Sequence, residues 1–157
     1  MMRTYYVLAE IDGNPTLFRV NTDSADSAVR LVDEYCIKRY TGTSIVCYAI
    51  ESFTEEQFKE RLPHAIIILQ YDELKDSELF QLSSPKELKK LVREQEREYC
   101  HQYPGCRAYG KLIYLSDVER KIARFYQINM GFDAEKAVMR ARIVANMPID
   151  LSNSSWI

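Results

Sequence analysis

Apolar residues alternate from the start of the chain. "TYYVLAEI" and "TLFRV" flank "DGNP", which reads as two strands joined by a tight turn, with Gly13, Asn14 and Pro15 supplying the turn chemistry. Period two places Tyr5, Val7, Ala9 and Ile11 on the face expected to be core, and Tyr6, Leu8 and Glu10 on the other. The period then changes to 3.6. In "NTDSADSAVRLVDEYCIKRYTG", Ala25, Ala28, Val29, Val32, Cys36 and Tyr40 share one side of a helix, capped by Asp23 or Ser24 and followed by Gly42. "SIVCYAIES" is apolar on both faces and reads as a central strand. "TEEQFKERLP" is a short helix with a Thr54–Gln57 capping box, stopped by Pro63.

"AIIILQY" reads as another strand buried on both faces, and "LFQL" as a short one after it. The next helix, "SSPKELKKLVREQEREYCHQY", starts with Ser84 as cap, Pro85 at the first helical position and Glu87 completing a box, and Pro104-Gly105 ends it. "AYGKLIYL" is a strand. "SDVERKIARFYQINMG" is a helix boxed by Ser116 and Glu119 and closed by Gly131; "DAEKAVMRARIVANMP" is the last, capped by Asp133 and ended by Pro148. The order β-β-α-β-α-β, then α-β-α-α, predicts an α+β protein with one mixed sheet of about five strands and a C-terminal helical hairpin. A single domain over residues 1–157 is expected, with an alternative division into an acidic half, 1–82, and a basic helical half, 84–148.

Charge is what makes that division interesting. The net charge is −2, yet residues 1–85 hold 8 Lys and Arg against 14 Asp and Glu, while residues 86–147 hold 13 against 8. Either the basic half presents a surface to an anion, or the two halves attract each other. The basic helix sharpens the first reading. At 100° per residue, Leu88, Leu91, Val92, Gln95 and Tyr99 gather on a core side, and Lys86, Lys89, Lys90, Arg93 and Arg97 gather opposite them. Three i,i+4 pairs among these cations are like-charged, and Glu87, Glu94, Glu96 and Glu98 stand on the flanks. Arg107 and Lys111, with Arg120, Lys121 and Arg124, extend the strip if they share its side. Tyr103 and Tyr109 join the candidate surface, since 11 Tyr against 6 Phe is heavy use of a residue suited to interfaces. The bland counterpart is a solvated helix face and half-buried tyrosines.

Candidate chemistry changes little. "EYCHQYPGCRAYG" holds Cys100, His101 and Cys106, but two cysteines six apart do not make the converging pairs of a zinc site, and adjacent helical residues diverge by about 100°. The segment reads as a helix end and turn; Cys36 and Cys47 read as small core residues. No Walker loop, G-x-G-x-x-G, G-x-S-x-G or H-E-x-x-H occurs, and neither cofactor nor metal is expected. In "AIIILQYDELK", Glu73-x-Lys75 faintly resembles the acidic-x-Lys element of restriction-type nucleases, which implies a metal held by carboxylates with Glu51 as the upstream acid. "NMGFDAEKAV" resembles the first loop and second helix of ubiquitin-associated domains over about ten residues; Pro148 and a polar tail stand where their third helix would follow, so an ordinary glycine-terminated turn with Phe132 between helices is the reading.

No run of about 18 apolar residues occurs, and the start lacks the apolar core of a signal peptide, so a cytosolic location with reduced thiols is expected. The expected function is a non-enzymatic binding protein that meets a protein or nucleoprotein through its basic, Tyr-rich half. Small chains of this kind are frequent among phage and mobile-element accessory proteins, some of which inhibit host nucleic-acid enzymes as anti-CRISPR proteins do. Direct nucleic-acid binding is the alternative, and a metal-dependent nuclease the third. In the last helix Ala134, Ala137, Val138, Ala141 and Ala145 form one apolar side and Met139, Ile143 and Met147 another, which suits either burial or a second copy of the chain.

Overall fold

The computed structural model describes residues 1–40 and 45–151, and the side chains of residues 45–50 lie outside that description. The chain is α+β and divides into two compact units: Met1–Glu60 together with the chain from Ala141 onward, and Arg61–Arg140. In place of one mixed sheet of about five strands, seven strands among the described residues form two sheets, one of four and one of three. Hydrophobic period fixes which face of a strand is buried but carries no information about which strands become neighbours.

In the first unit β1 (Arg3–Ile11) and β2 (Asn14–Thr22) form a hairpin closed at Ile11 and Asn14. The turn is Asp12-Gly13, with φ of 51° and 78°, the left-handed pair that a two-residue hairpin needs. Pro15 therefore lies inside β2, opposite Glu10 in the wide pair that makes no hydrogen bonds to β1, so its missing N–H leaves that ladder intact. β3 (Ile45–Thr54) pairs with the other edge of β1, with a register shift between Leu8 and Glu10. It is an edge strand, not the expected central one. An apolar run reports what covers a strand's faces, not how many strands flank it.

The tail expected to lack pattern supplies β7 (Ile149–Asp150), parallel to β2, and the Leu151 N–H donates to the Arg19 carbonyl at 2.7 Å. α1 (Ala25–Arg39) starts at Ser24, whose hydroxyl accepts from Ser27 N, and buries Ala28, Val32 and Cys36 against Val7, Ala9, Phe18 and Val20. Gly42, the expected stop, lies outside the described residues. The Thr54–Gln57 capping box is present at α2 (Glu55–Lys59), and the Phe58 ring stacks on Tyr6 at 3.8 Å. Tyr6 and Leu8 are thus buried as well, so β1 is covered on both faces.

In the second unit β4 (Leu62–Tyr71) is central, between β5 (Leu74–Gln81) and β6 (Arg107–Leu115), all antiparallel. Pro63 is the second residue of this strand and does not end α2, which stops at Lys59. "LFQL" is the end of the eight-residue β5, which leaves β4 through a turn with Asp72 at φ 50°. Ala65, Ile67 and Leu69 of β4 and Ala108 of β6 form a core with Leu82 and Cys106, onto which Leu88, Leu91, Val92 and Tyr99 pack from α3 (Leu88–Cys100).

The expected cap of that helix differs. Pro85–Glu87 is a turn of 3₁₀ helix, Ser84 makes no side-chain cap, and the Glu87 carboxylate accepts from Ser83 N at 3.0 Å. α4 (Asp117–Met130) has the Ser116–Glu119 capping box and ends at left-handed Gly131, φ 66°. Phe132 stacks on Tyr126 of α4 at 5.3 Å. α5 (Ala134–Ala145) follows, with Asp133 Oδ1 accepting from Lys136 N at its start.

Candidate binding face on α3

α3 is built as its pattern requires. Leu88, Leu91, Val92, Gln95 and Tyr99 are half-buried, and the Tyr99 hydroxyl donates to Glu78 of β5 at 3.4 Å. Burial first, and then the Glu78 charge, raise the Tyr99 phenol above its ordinary value, as suits a neutral anchor. Opposite them Lys86, Lys89, Lys90, Arg93 and Arg97 are all exposed. None of the five forms an ion pair among the described residues, whose salt bridges are made by other side chains. Eleven steps of about 1.5 Å from Lys86 to Arg97 make the strip about 16 Å long.

The carboxylates divide into two kinds. Glu94 and Glu98 are exposed beside the strip. Glu87 is tied to Ser83 N, and Glu96 accepts from Ala108 N at 3.0 Å. The Glu96 contact was not foreseen. Ala108 lies in a pair that makes no ladder bonds to β4, so its N–H points off the sheet, and Glu96 satisfies it. Asp76 does the same on the opposite edge, accepting from its neighbour Ser77 N at 2.9 Å. Each edge of the three-stranded sheet thus carries a carboxylate on an outward amide, which discourages pairing with another strand. The only signal for Glu96 in the sequence is its place between the charged and apolar arcs.

The remaining candidates separate. Tyr103, 38% exposed, follows α3 and stacks on Tyr71 of β4 at 4.1 Å, so it lies at the end of the strip. Arg107, Tyr109 and Lys111 are exposed, but they alternate with Ala108, Gly110 and Leu112, which face α3. They therefore project from the other side of the sheet. Arg120 and Arg124 belong to α4 and border His64 and Leu79, residues of that other side. The expected continuous surface is two: a strip of five cations with Tyr103, and a separate row on β6.

The cysteine corner is a helix end. Gly105 takes φ 86°, Cys100 is exposed and Cys106 buried, and both are free thiols. Burial raises the Cys106 thiol above its ordinary value, and the neighbouring Cys100 and Glu96 add to this, so it is held protonated rather than activated. No family model, curated protein or solved structure matches the chain. Its function has to be argued from its own surfaces.

Among the described residues no group of three or more His, Cys, Asp or Glu side chains is placed to hold a metal ion. Glu73 lies in the turn between β4 and β5, and the Lys75 ammonium meets Glu135 at 2.9 Å. No helix among the described residues is long and apolar enough to cross a membrane. On α5, Ala134, Ala137, Val138, Ala141 and Ala145 are buried, whereas Met139, Ile143 and Met147 are exposed.

Proposed function

We propose that the chain is a binding protein that docks an acidic strip of a macromolecular partner along α3, with Tyr103 at the end of the contact. The observation that carries this reading is the set of five exposed cations, Lys86 to Arg97, left without ion pairs among the described residues on a helix whose other side is anchored in the core. Like-charged i,i+4 pairs work against the helix. A partner's carboxylates or phosphates relieve that repulsion on binding, and such fields also steer association.

Glu94 and Glu98 favour a protein partner over a duplex. Nucleic acid presents phosphates on every side, and exposed carboxylates flanking a strip about 16 Å long would repel them. A protein patch with a narrow acidic ridge and basic flanks matches the pattern. An inhibitor that occupies an acidic groove of a host nucleic-acid enzyme, as an accessory protein of a phage or mobile element would, is the form of this reading that a small chain suits.

The test is a pull-down with the full chain and with K89E/R93E/R97E, using R107E/K111E as a control on the other side of the sheet. Loss of one folded partner with the first set and its retention with the second supports the proposal. Equal recovery by all three proteins overturns it. Tight, steeply salt-dependent binding of DNA or RNA, lost with the first set, moves the assignment to nucleic acid.

A further inference from the structure

We propose that a cavity between β4, β5 and α4 binds hydrogen phosphate, free or as the singly protonated end group of a small phosphomonoester. The cavity measures about 220 Å³ and is lined by His64, Leu79, Gln81, Arg120 and Arg124. It lies on the side of the three-stranded sheet away from α3, because His64 and Leu79 alternate with the residues that α3 covers.

His64 is 1% exposed and its ring is oriented by a contact of 2.9 Å between Nδ1 and the Leu62 carbonyl. A carbonyl only accepts, so Nδ1 carries the proton, and in the Nδ1–H tautomer Nε2 presents a lone pair. That Nε2 is buried and has no hydrogen-bond partner. Arg120, which lines the same cavity, has an Nε that is also buried and makes no hydrogen bond; its ion-pair partner Asp117 stands at 3.9 Å. Buried polar groups in folded proteins are satisfied almost without exception. Two residues of one cavity lining thus each hold a buried polar atom without a hydrogen bond, which points to a third party that serves both.

The lining states its chemistry. Arg120 and Arg124 lie one turn apart on α4 and bring two guanidinium groups to the cavity, and no carboxylate lines it. Guanidinium pairs select oxyanions through parallel N–H donors. The His64 lone pair adds a condition, since it needs a ligand that keeps an O–H to donate. Hydrogen phosphate carries both the charge and that proton. Sulfate has the charge and shape without the proton, and a bare carboxylate offers neither the third oxygen nor the donor.

The experiment follows the ring resonances of His64 in the full chain during titration with inorganic phosphate, sulfate and glycerol phosphate, ionic strength being held constant with chloride. His101, which is exposed, reports general salt effects within the same sample. Phosphate is expected to shift His64 saturably while His101 stays still, with at least tenfold tighter binding than sulfate. R124Q, at an exposed position on the rim, keeps the fold and weakens phosphate at least tenfold, as does R120Q. Tighter binding of glycerol phosphate than of phosphate assigns the end group, and weaker binding assigns the free ion. No saturable shift, a shift shared by His101, or sulfate binding as tight as phosphate overturns the proposal.

Discussion

Gly110 of β6 lies directly against Val92 of α3: a Cβ on the glycine would stand 2.5 Å from Val92 Cγ2 and 2.8 Å from Leu88 Cδ1. The missing side chain is what lets the helix settle onto the strand. Valine is stiff at χ1, so it cannot swing clear of an added methyl. G110A is expected to destabilise the protein by about 1–3 kcal/mol as the helix is lifted. Denaturant unfolding measures this, and V92A in the same chain should recover part of the loss, because the two positions touch.

Glu119 is the most deeply buried carboxylate of the second unit, 3% exposed, and its Oε1 accepts from Arg61 Nη1 at 2.6 Å and from Ser116 N at 3.0 Å. It closes the capping box of α4 and ties the start of β4 to that helix. E119A leaves the Ser116 amide buried without its acceptor, and a loss of about 1–3 kcal/mol is expected in thermal or denaturant unfolding. R61A, at a half-exposed partner, should cost less than E119A; the reverse order would show that the carboxylate is not the anchor.

The cations of α3 make no ion pair among the described residues and are exposed, so they contribute nothing obvious to the fold. K89Q removes one like-charged i,i+4 repulsion and R93Q two, and each is expected to leave stability unchanged or raise it by about 0.2–0.5 kcal/mol per pair removed. Calorimetric unfolding at low salt is the check. A clear fall in the unfolding temperature would reveal a structural role that exposure does not suggest.

Burial raises the phenols of Tyr99 and Tyr126 above their ordinary value of 10.0 and the Cys106 thiol above 9.0. The native protein therefore holds these protons more tightly than the unfolded chain does. Stability from this source is complete below about pH 9 and is lost as pH rises through the unfolded and then the native values. Unfolding free energy measured from pH 8 to 11 should fall progressively, with phenolate absorbance lagging behind that of the urea-unfolded chain. Coincident native and unfolded titrations would contradict the burial of these groups.

Much of this protein could be read without coordinates wherever the signal is local. The amphipathic division of α3, the capping boxes at Thr54 and Ser116 and the glycine stop at Gly131 each depend on residues within one or two turns. All are present as read. Where a local rule has two solutions, packing chooses between them: Glu87 bonds to Ser83 N rather than closing a box with Ser84, and the hairpin turns at Asp12-Gly13, carrying Pro15 into the strand.

The sequence by itself settled which side of each element is apolar, because helical and strand periods are properties of a few adjacent residues. It thereby determined the exposed cation strip of α3. Only the tertiary structure decided that Arg107, Tyr109 and Lys111 stand on the other side of the sheet from that strip, that β3 is an edge, and that His64 lines one cavity with Arg120 and Arg124. A period of two says that neighbours in a strand point apart; which of its two faces a distant helix will cover is settled by long-range packing and carries no local signature.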